Sequence, residues 1–423
     1  MNPCTRKNWP WRGFAISAAL LICLIPKATA EETRRITVAE YHDKMIGGWI
    51  GQMAGVGWGF PTEFEWLSEI IPEDKMPVWT PETINQFDQD DMYVEMTFMK
   101  TLEDYGFDVS DRQAGIDFAN SEYTLWHANG EGRKLLRKGI APPDSGHPAF
   151  NKHADDIDYQ IEADFAGLIA PGMPNIAIAL GDKFGHIMNY GDGVYGGQFM
   201  SAMYAEAFFE TDRFKLVEAG LRAIPAESQY AECIRDTVAW CKANPDDWQA
   251  TWHRLQEKYH ENPEGRKFVC KYSEKGNIDA KFNGAYVVIG LLYGEGDMDK
   301  TIIIATRCGQ DSDCNPASAA GILATTLGRK KLADKFTIAL DLNTEFKHTA
   351  YTFPALIQAT ERLARTALAR AGGRIETDPE GNETFVIPLR PTKPSALEQS
   401  WKAGPPAESR YSEEEMKKIT VRD

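Results

Sequence analysis

"RCGQDSDCNPASAAG", residues 307–321, is the stretch on which the reading of this chain turns. Asn is a favoured helix N-cap and Pro a favoured first helical residue, so the pair Asn315-Pro316 predicts a helix starting at Pro316. Residues 316–327 are rich in Ala, Ser, Thr and Gly. Small residues let neighbouring backbones approach closely, which suits a central, buried helix. Asp311 and Asp313 stand in the glycine-introduced loop that feeds it. Acidic groups near a helix N-terminus complement the macrodipole, and capping alone is one reading of them.

A second stretch, "QFDQDDMYVEMTFMK" at 86–100, opens a helix in the same way. Asp88 is placed to cap it, Met92, Met96 and Met99 form its buried stripe, and Gly106 ends it. Asp90 and Asp91 then fall in the first turn, more acid than a cap requires. Residues two apart within a helix point apart, but Asp311 and Asp313 precede theirs and can converge. If the two helix starts meet, four carboxylates share one site. Each like-charged pair at about 4 Å costs roughly 4 kcal/mol at an effective dielectric near 20. Such a site calls for protons or a cation. Oxygen ligands without nearby His favour a hard ion, Mg²⁺ first and Mn²⁺ or Ca²⁺ next, over Zn²⁺. A third stretch, "GGWIGQMAGVGWGFPTEF" at 47–64, is an amphipathic helix running into a Gly/Pro turn that presents Glu63.

Apolar residues recur at helical spacing over 41–53, 92–105, 111–126, 197–209, 213–224 and 231–244. The same period marks 246–259, 282–293, 299–308, 316–327 and 350–370. Strand-like alternation is scarce until "RIETDPEGNETFVIP", where a turn-forming segment separates two β-prone runs. From Pro388 the chain is rich in Pro and charge. The expected architecture is all-α: a helical domain over 31–372, then a small β-hairpin and Pro-rich tail over 373–423.

Residues 1–30 read as a secretory signal peptide. Arg6, Lys7 and Arg12 form a basic start, 13–25 is a short apolar run, and Ala28-Thr29-Ala30 is a small-x-small cleavage site. The mature chain is therefore expected outside the cytoplasm, secreted or periplasmic. Losing the leader removes four basic residues and no acidic one, moving the formal net charge from −16 to −20. That balance argues against nonspecific nucleic-acid binding and against attachment to anionic membranes. It leaves a small-molecule or glycan substrate as the expected partner and does not fix the oligomeric state. The five cysteines beyond the leader, Cys233, Cys241, Cys270, Cys308 and Cys314, lack the spacing of a disulfide framework.

Taken together and in order, three motifs resemble the ADP-ribosylglycohydrolase superfamily. They are the turn Gly55-Val-Gly-Trp-Gly59-Phe-Pro61-Thr-Glu63, the helix start Gln89-Asp90-Asp91, and Gly309-Gln-Asp311-Ser-Asp313-Cys-Asn315. The resemblance runs over residues 38–327 and implies an all-α fold with one or two divalent ions at the two acidic helix starts. It implies hydrolysis of a glycosidic bond at the anomeric carbon of an ADP-ribosyl or related sugar. Carried over position by position, Asp90, Asp91, Asp311 and Asp313 are implied metal ligands, with the Gln89 carbonyl oxygen a further one. Glu63 and Asp311 are the implied catalytic residues, Glu63 as general base or as the group that orients water. The region between the metal motifs corresponds to the substrate cleft of the family. It makes Glu162, Asp164, Tyr190, Asp192 and Tyr195 expected substrate contacts, together with Ser145, Gly146 and Asn315.

Three positions depart from the pattern. Gln89 and Cys314 replace residues that usually carry a hydroxyl, and Val56 replaces an acid. Cys314 is a soft ligand poorly suited to Mg²⁺. The second ion is lost, or the ion differs, or Cys314 only packs. Export, and the lack of a basic cluster to cradle a pyrophosphate, keep two alternatives open: a glycoside hydrolase acting on a non-nucleotide glycan, and a noncatalytic sugar- or nucleotide-binding protein on the same scaffold.

Overall fold

The computed structural model describes residues 32–262, 267–268 and 278–421, with scattered positions in 1–10. The chain divides into two units, Met1–Glu32 and Thr33–Asp423. The expected leader's apolar run and cleavage site, and Cys270, lie outside the described residues. The second unit is built from helices α1 (Val38–Gly59), α2 (Asp90–Tyr105), α3 (Asp111–Ala119), α4 (His127–Arg137), α5 (Asp158–Ile161), α6 (Asp164–Leu168), α7 (Pro174–Phe184) and α8 (Asp192–Ala207). It continues with α9 (Arg213–Arg222), α10 (Gln229–Ala243), α11 (Trp248–Leu255), α12 (Ala280–Tyr293), α13 (Met298–Arg307), α14 (Cys314–Leu327), α15 (Phe353–Arg370) and α16 (Glu413–Lys418). The chain is all-α apart from one small sheet.

A ridge of glycines explains how the centre is assembled. Gly47, Gly51, Gly55 and Gly59 recur every fourth residue along one face of α1, so they line up on the helix surface. That face lies directly on α14. A methyl group on Gly51 would meet Ala320 O at 2.4 Å, on Gly55 it would meet Pro316 O at 2.2 Å, and on Gly59 it would meet Ser312 O at 2.0 Å. The two backbones are therefore in contact along their length, and any side chain on this ridge would push them apart. As the small residues of 316–327 suggest, α14 is buried from Cys314 through Thr326, with α8, α12 and α13 also packed on it.

Several boundaries differ from the sequence expectation, each for a local reason. α14 begins at Cys314 with Asp313 as N-cap, rather than at Pro316. Pro is tolerated there because the first-turn N–H groups have no intrahelical partner in any case. The helix expected over 111–126 ends at Ala119, and α4 starts afresh at His127. α2 is capped at Gln89, while Asp88 points outward and pairs with Lys347 at 2.6 Å.

The expected hairpin is present as β2 (Arg374–Thr377) and β3 (Glu383–Pro388), and it gains a third strand, β1 (Thr33–Thr37). The antiparallel order is β1-β3-β2, with Thr33 opposite Pro388 and Arg374 opposite Val386. Beyond β3 the tail is tied down residue by residue. Pro391 O accepts from Asn175 at 2.9 Å, Ser400 Oγ donates to Asp155 at 2.5 Å, and Asp144 accepts from the backbone N–H groups of Ala407 and Ser409, each at 2.8 Å. No described helix is long and apolar enough to cross a membrane. The described cysteines, Cys233, Cys241, Cys308 and Cys314, are all free and buried.

Candidate functional site

The glycine ridge ends where the chemistry begins. Past Gly59 the chain turns through residues 60–63 and is then zipped to the loop that precedes α14. Phe64 N–H donates to Gln310 O (3.0 Å), Gln310 N–H donates to Trp66 O (3.0 Å), and the Thr62 and Ser312 hydroxyls share a hydrogen bond (2.8 Å). Gly309 has φ +79°, and a side chain there would sit 2.6 Å from Trp66 O. These bonds fix Glu63 over the acidic loop, a placement that a lone glutamate on a loop does not announce.

The two acidic helix starts do converge, and they meet on Cys314. One ligand atom from each of Asp90, Asp91 and Cys314 lies within 4.8 Å of the others, and the same holds for Asp311, Asp313 and Cys314. Asp91 is completely buried and Asp311 and Asp313 are each 2% exposed. Both oxygens of Asp91 and Oδ1 of Asp311 have no hydrogen-bond donor. Cys314 Sγ donates to Asp313 Oδ1 at 3.7 Å and also stands close enough to Asp91 and Asp311 to favour their charged forms.

Burial pushes the carboxyls of Asp91, Asp311 and Asp313 well above their usual range; the charges of neighbouring acids push the same way, while a hydrogen bond with Asp313 partly offsets the rise at Asp311. Asp90 is raised chiefly by burial. Glu63 is raised to about 8, first by burial and then by Asp313 and Asp90. Burying a carboxylate without partners is expensive, so this cluster must hold protons or a cation. Orphaned buried oxygens and a donor set spanning one ion's reach fit a divalent cation. Gln89 stands beside it as the N-cap of α2. Its amide nitrogen is bonded to Gln86 Oε1 (3.2 Å), leaving only its carbonyl oxygen for an ion.

Over this cluster opens a cavity of about 480 Å³ lined by Glu63, Asp90, Asp311 and Cys314 on its acidic side and by Phe64, Leu67, Trp126, Ile157 and Ile161 on its apolar side. His127 and Asp158 complete it. That volume is in the range of small-molecule sites. The apolar wall, His127 and Asp158 were absent from the sequence reading. α4 has no local side-chain cap at Trp126. Its first N–H groups are instead taken by Asp158, thirty residues on, which accepts from Ala128 (3.2 Å) and Asn129 (2.9 Å). That remote cap swings Trp126 and His127 onto the cavity. An acid followed by Tyr-Gln-Ile was the available signal, but nothing local connects it to α4. Burial lifts Asp158 to about 7 and lowers His127 to about 4, with His153 adding to the latter.

The expected substrate contacts do not line this cavity. Glu162 and Asp164 lie beneath it. Glu162 is bonded to Asn129, and Asp164 accepts from Tyr204 (2.7 Å) and Ser318 (3.2 Å). Asn315 donates to Asn283 Oδ1 (2.8 Å) and pins α14 to α12. Asp192 is buried beside Lys281. Tyr190 lies where the tail docks, Ser145 is fully buried, and Gly146 packs against the backbone of His186 and Asn189. Tyr190 shares a separate groove with His147, His186, Glu398 and Pro405, and Asp144, next to Ser145, holds the tail backbone. Tyr195 donates to Ala396 O (2.8 Å). Within 139–209, Ile157, Asp158 and Ile161 line the cavity, while Tyr190 and Tyr195 meet the tail. The basic residues of α4 are engaged too, with Arg133 donating to Tyr123 O (2.7 Å) and Arg137 to Ala119 O (3.0 Å). A groove of about 540 Å³ between α2, α3 and residues 348–351 lies apart from the acidic cluster.

Residues 37–371 match the ADP-ribosylglycohydrolase family, and the chain belongs to it. No curated protein matches the chain. A solved structure described as an ADP-ribosylglycohydrolase-related protein complex is similar at TM-score 0.50 and 14% identity, covering 77% of this chain and 100% of that one. At that identity the likeness speaks for the fold alone. The family is generally hydrolytic and typically dependent on a divalent metal, and it supports a glycohydrolase-type activity here.

Proposed function

We propose that the protein is a divalent-metal-dependent hydrolase that cleaves a glycosidic bond at the anomeric carbon of an ADP-ribosyl or related sugar. One observation carries this reading: Glu63, Asp90 and Asp311 open together onto a cavity whose buried acids lack a counter-charge. Asp90, Asp91, Asp311 and Asp313 would hold the ion. When bound, such an ion supplies positive charge that fixes sugar hydroxyls and acidifies water. Glu63 is placed to take a proton from a water at the anomeric carbon onto a carboxylate oxygen. Asp311, one of those ion-binding acids, borders the cavity with Glu63 and would help to orient that water. The apolar wall of Phe64, Leu67 and Ile157 excludes bulk solvent.

A specific observation favours an uncharged glycoside as the second substrate reading. Among the described residues lining the cavity none is Lys or Arg, and four are acids. A diphosphate entering such surroundings is repelled unless bound cations compensate. Export, read from residues 1–30, agrees with a substrate met outside the cell, and N-terminal sequencing of the protein from its native host should begin at Glu31.

Glu63→Gln tests the reading. Turnover of the accepted glycoside should fall by about 10²–10⁴-fold while calorimetric binding of the same compound persists. Wild-type protein that binds sugars but turns over neither ADP-ribosyl nor neutral glycosides with Mg²⁺, Mn²⁺ or Zn²⁺ present would assign it a binding role instead.

A further inference from the structure

Cys314 is the residue common to both acidic groups: its sulfur lies within 4.8 Å of a carboxylate oxygen of Asp90 and of Asp91, and equally of Asp311 and Asp313. Two donors on one ion can be no farther apart than the sum of their bond lengths, roughly 4.3–4.5 Å for sulfur and oxygen about zinc. Each acid pair stands within, or slightly beyond, the span at which it shares an ion with this sulfur. The side chain is 4% exposed and borders the cavity.

A cysteine that merely packs sits among apolar atoms. Cys314 joins the buried core, but its sulfur also reaches carboxylates of both aspartate pairs, and Asp91 and Asp311 among them are buried with oxygens left without a hydrogen bond. The other described cysteines lie elsewhere, Cys233 for instance directing its thiol at Lys281 O (3.6 Å).

We propose that Cys314 is itself a metal ligand, a thiolate set between the two aspartate pairs. It turns this centre away from Mg²⁺ toward a borderline, sulfur-tolerant divalent ion such as Zn²⁺ or Co²⁺. Magnesium demands oxygen, whereas thiolate suits the softer ions. Coordination removes the thiol proton outright, so each ion that binds the sulfur releases that proton to solvent and forms one metal–sulfur bond. The inference rests on the metal-dependent reading above and narrows it.

The test uses the full mature chain, stripped of metal and titrated with Co²⁺, followed by absorption spectroscopy. Wild-type protein should develop a sulfur-to-cobalt charge-transfer band in the near ultraviolet, and Cys314→Ser should bind Co²⁺ without it. The preference for Zn²⁺ over Mg²⁺, measured by calorimetry, should drop about tenfold or more in Cys314→Ser, since even outer-shell partners of a metal are worth that much. X-ray absorption on Zn²⁺-loaded wild type should show sulfur at about 2.3 Å, a readout that does not depend on the variant folding. Co²⁺ binding without the band, or a band that survives in Cys314→Ser, overturns the inference and leaves the oxygen-ligated reading standing. Failure of every divalent ion to bind overturns both.

Discussion

Asp192 and Asp279, beside α12, are as deeply buried as Asp91 and Asp311, yet the two regions meet the same electrostatic demand in opposite ways. Around α12 the chain carries its own counter-ion. Lys281 is fully buried, with Nζ 2.7 Å from Asp279 Oδ2 and 3.9 Å from Asp192 Oδ2. Burial alone would lower its pKa, but Asp279, Asp192 and Asp155 outweigh that and hold the ammonium charged. At the starts of α2 and α14 none of the four aspartates pairs with a described Lys, Arg or His, and Asp91 keeps both oxygens unsatisfied. A buried acid cluster with a resident cation is a structural joint. One without it must hold protons or, as proposed above, a cation from outside.

The largest expected effect breaks the first region. Lys281→Met leaves Asp279 and Asp192 buried without their partner, which typically costs about 3–5 kcal/mol, measurable by urea unfolding. A loss below about 1 kcal/mol would mean that Lys281 does not supply the balance. Next comes the second region under ligand. A divalent ion at a hundred times its dissociation constant should stabilise the wild type by about 2.7 kcal/mol. Asp91→Asn should abolish that response while raising the stability of the metal-free protein, because it removes a buried carboxyl that must otherwise take up a proton or stand as an uncompensated charge. Lower metal-free stability in the variant would contradict the proposed repulsion.

A pH series sharpens the contrast further. Glu63 titrates near 8 in the fold against an ordinary value near 4.5, and Asp91, Asp311 and Asp313 are raised as well. Between those values the folded protein holds protons that the unfolded chain has lost, so stability falls as pH rises from about 4.5 to 8 and is flat on either side of that window for Glu63. The metal-free protein should therefore melt lower at about pH 8 than at about pH 5. Saturating ion should remove much of that slope, since metal then replaces the protons. The smallest effect belongs to Asp88→Ala. Asp88 is exposed and, among the described residues, pairs with Lys347, so both thermal stability and ion binding should stay close to wild type.

Much of the site was legible because helix starts carry local signatures. Asp90, Asp91, Asp311 and Asp313 stood out as more acid than capping requires, and the glycine- and alanine-rich helix after them announced a buried centre. The error at Pro316 was of register: proline fits the third helical position as well as the first, since neither needs its N–H. β1 was invisible because a five-residue strand has meaning only beside β3, more than three hundred residues away. Trp126 and His127 were missed because α4 is capped by Asp158 rather than by a neighbour. Tyr190 and Tyr195, expected at a substrate cleft, meet the tail in the structure, because polar residues that seat a tail carry the same composition as residues that seat a ligand.

By itself, then, the sequence determined which residues had chemistry to offer: two acidic helix starts, a glutamate after a glycine-rich turn, and a cysteine where a hydroxyl is expected. Those signals survive without a structure because capping, periodicity and residue softness act over a few neighbouring positions. Only the tertiary structure decided that the starts meet on Cys314 and that Glu63 stands over them. It also decided that Lys281 partners one buried acid cluster, while the other meets no described Lys, Arg or His. Convergence of this kind depends on contacts between residues some two hundred and fifty positions apart, set by how closely the glycine ridge of α1 lets α14 approach, and no local pattern encodes that distance.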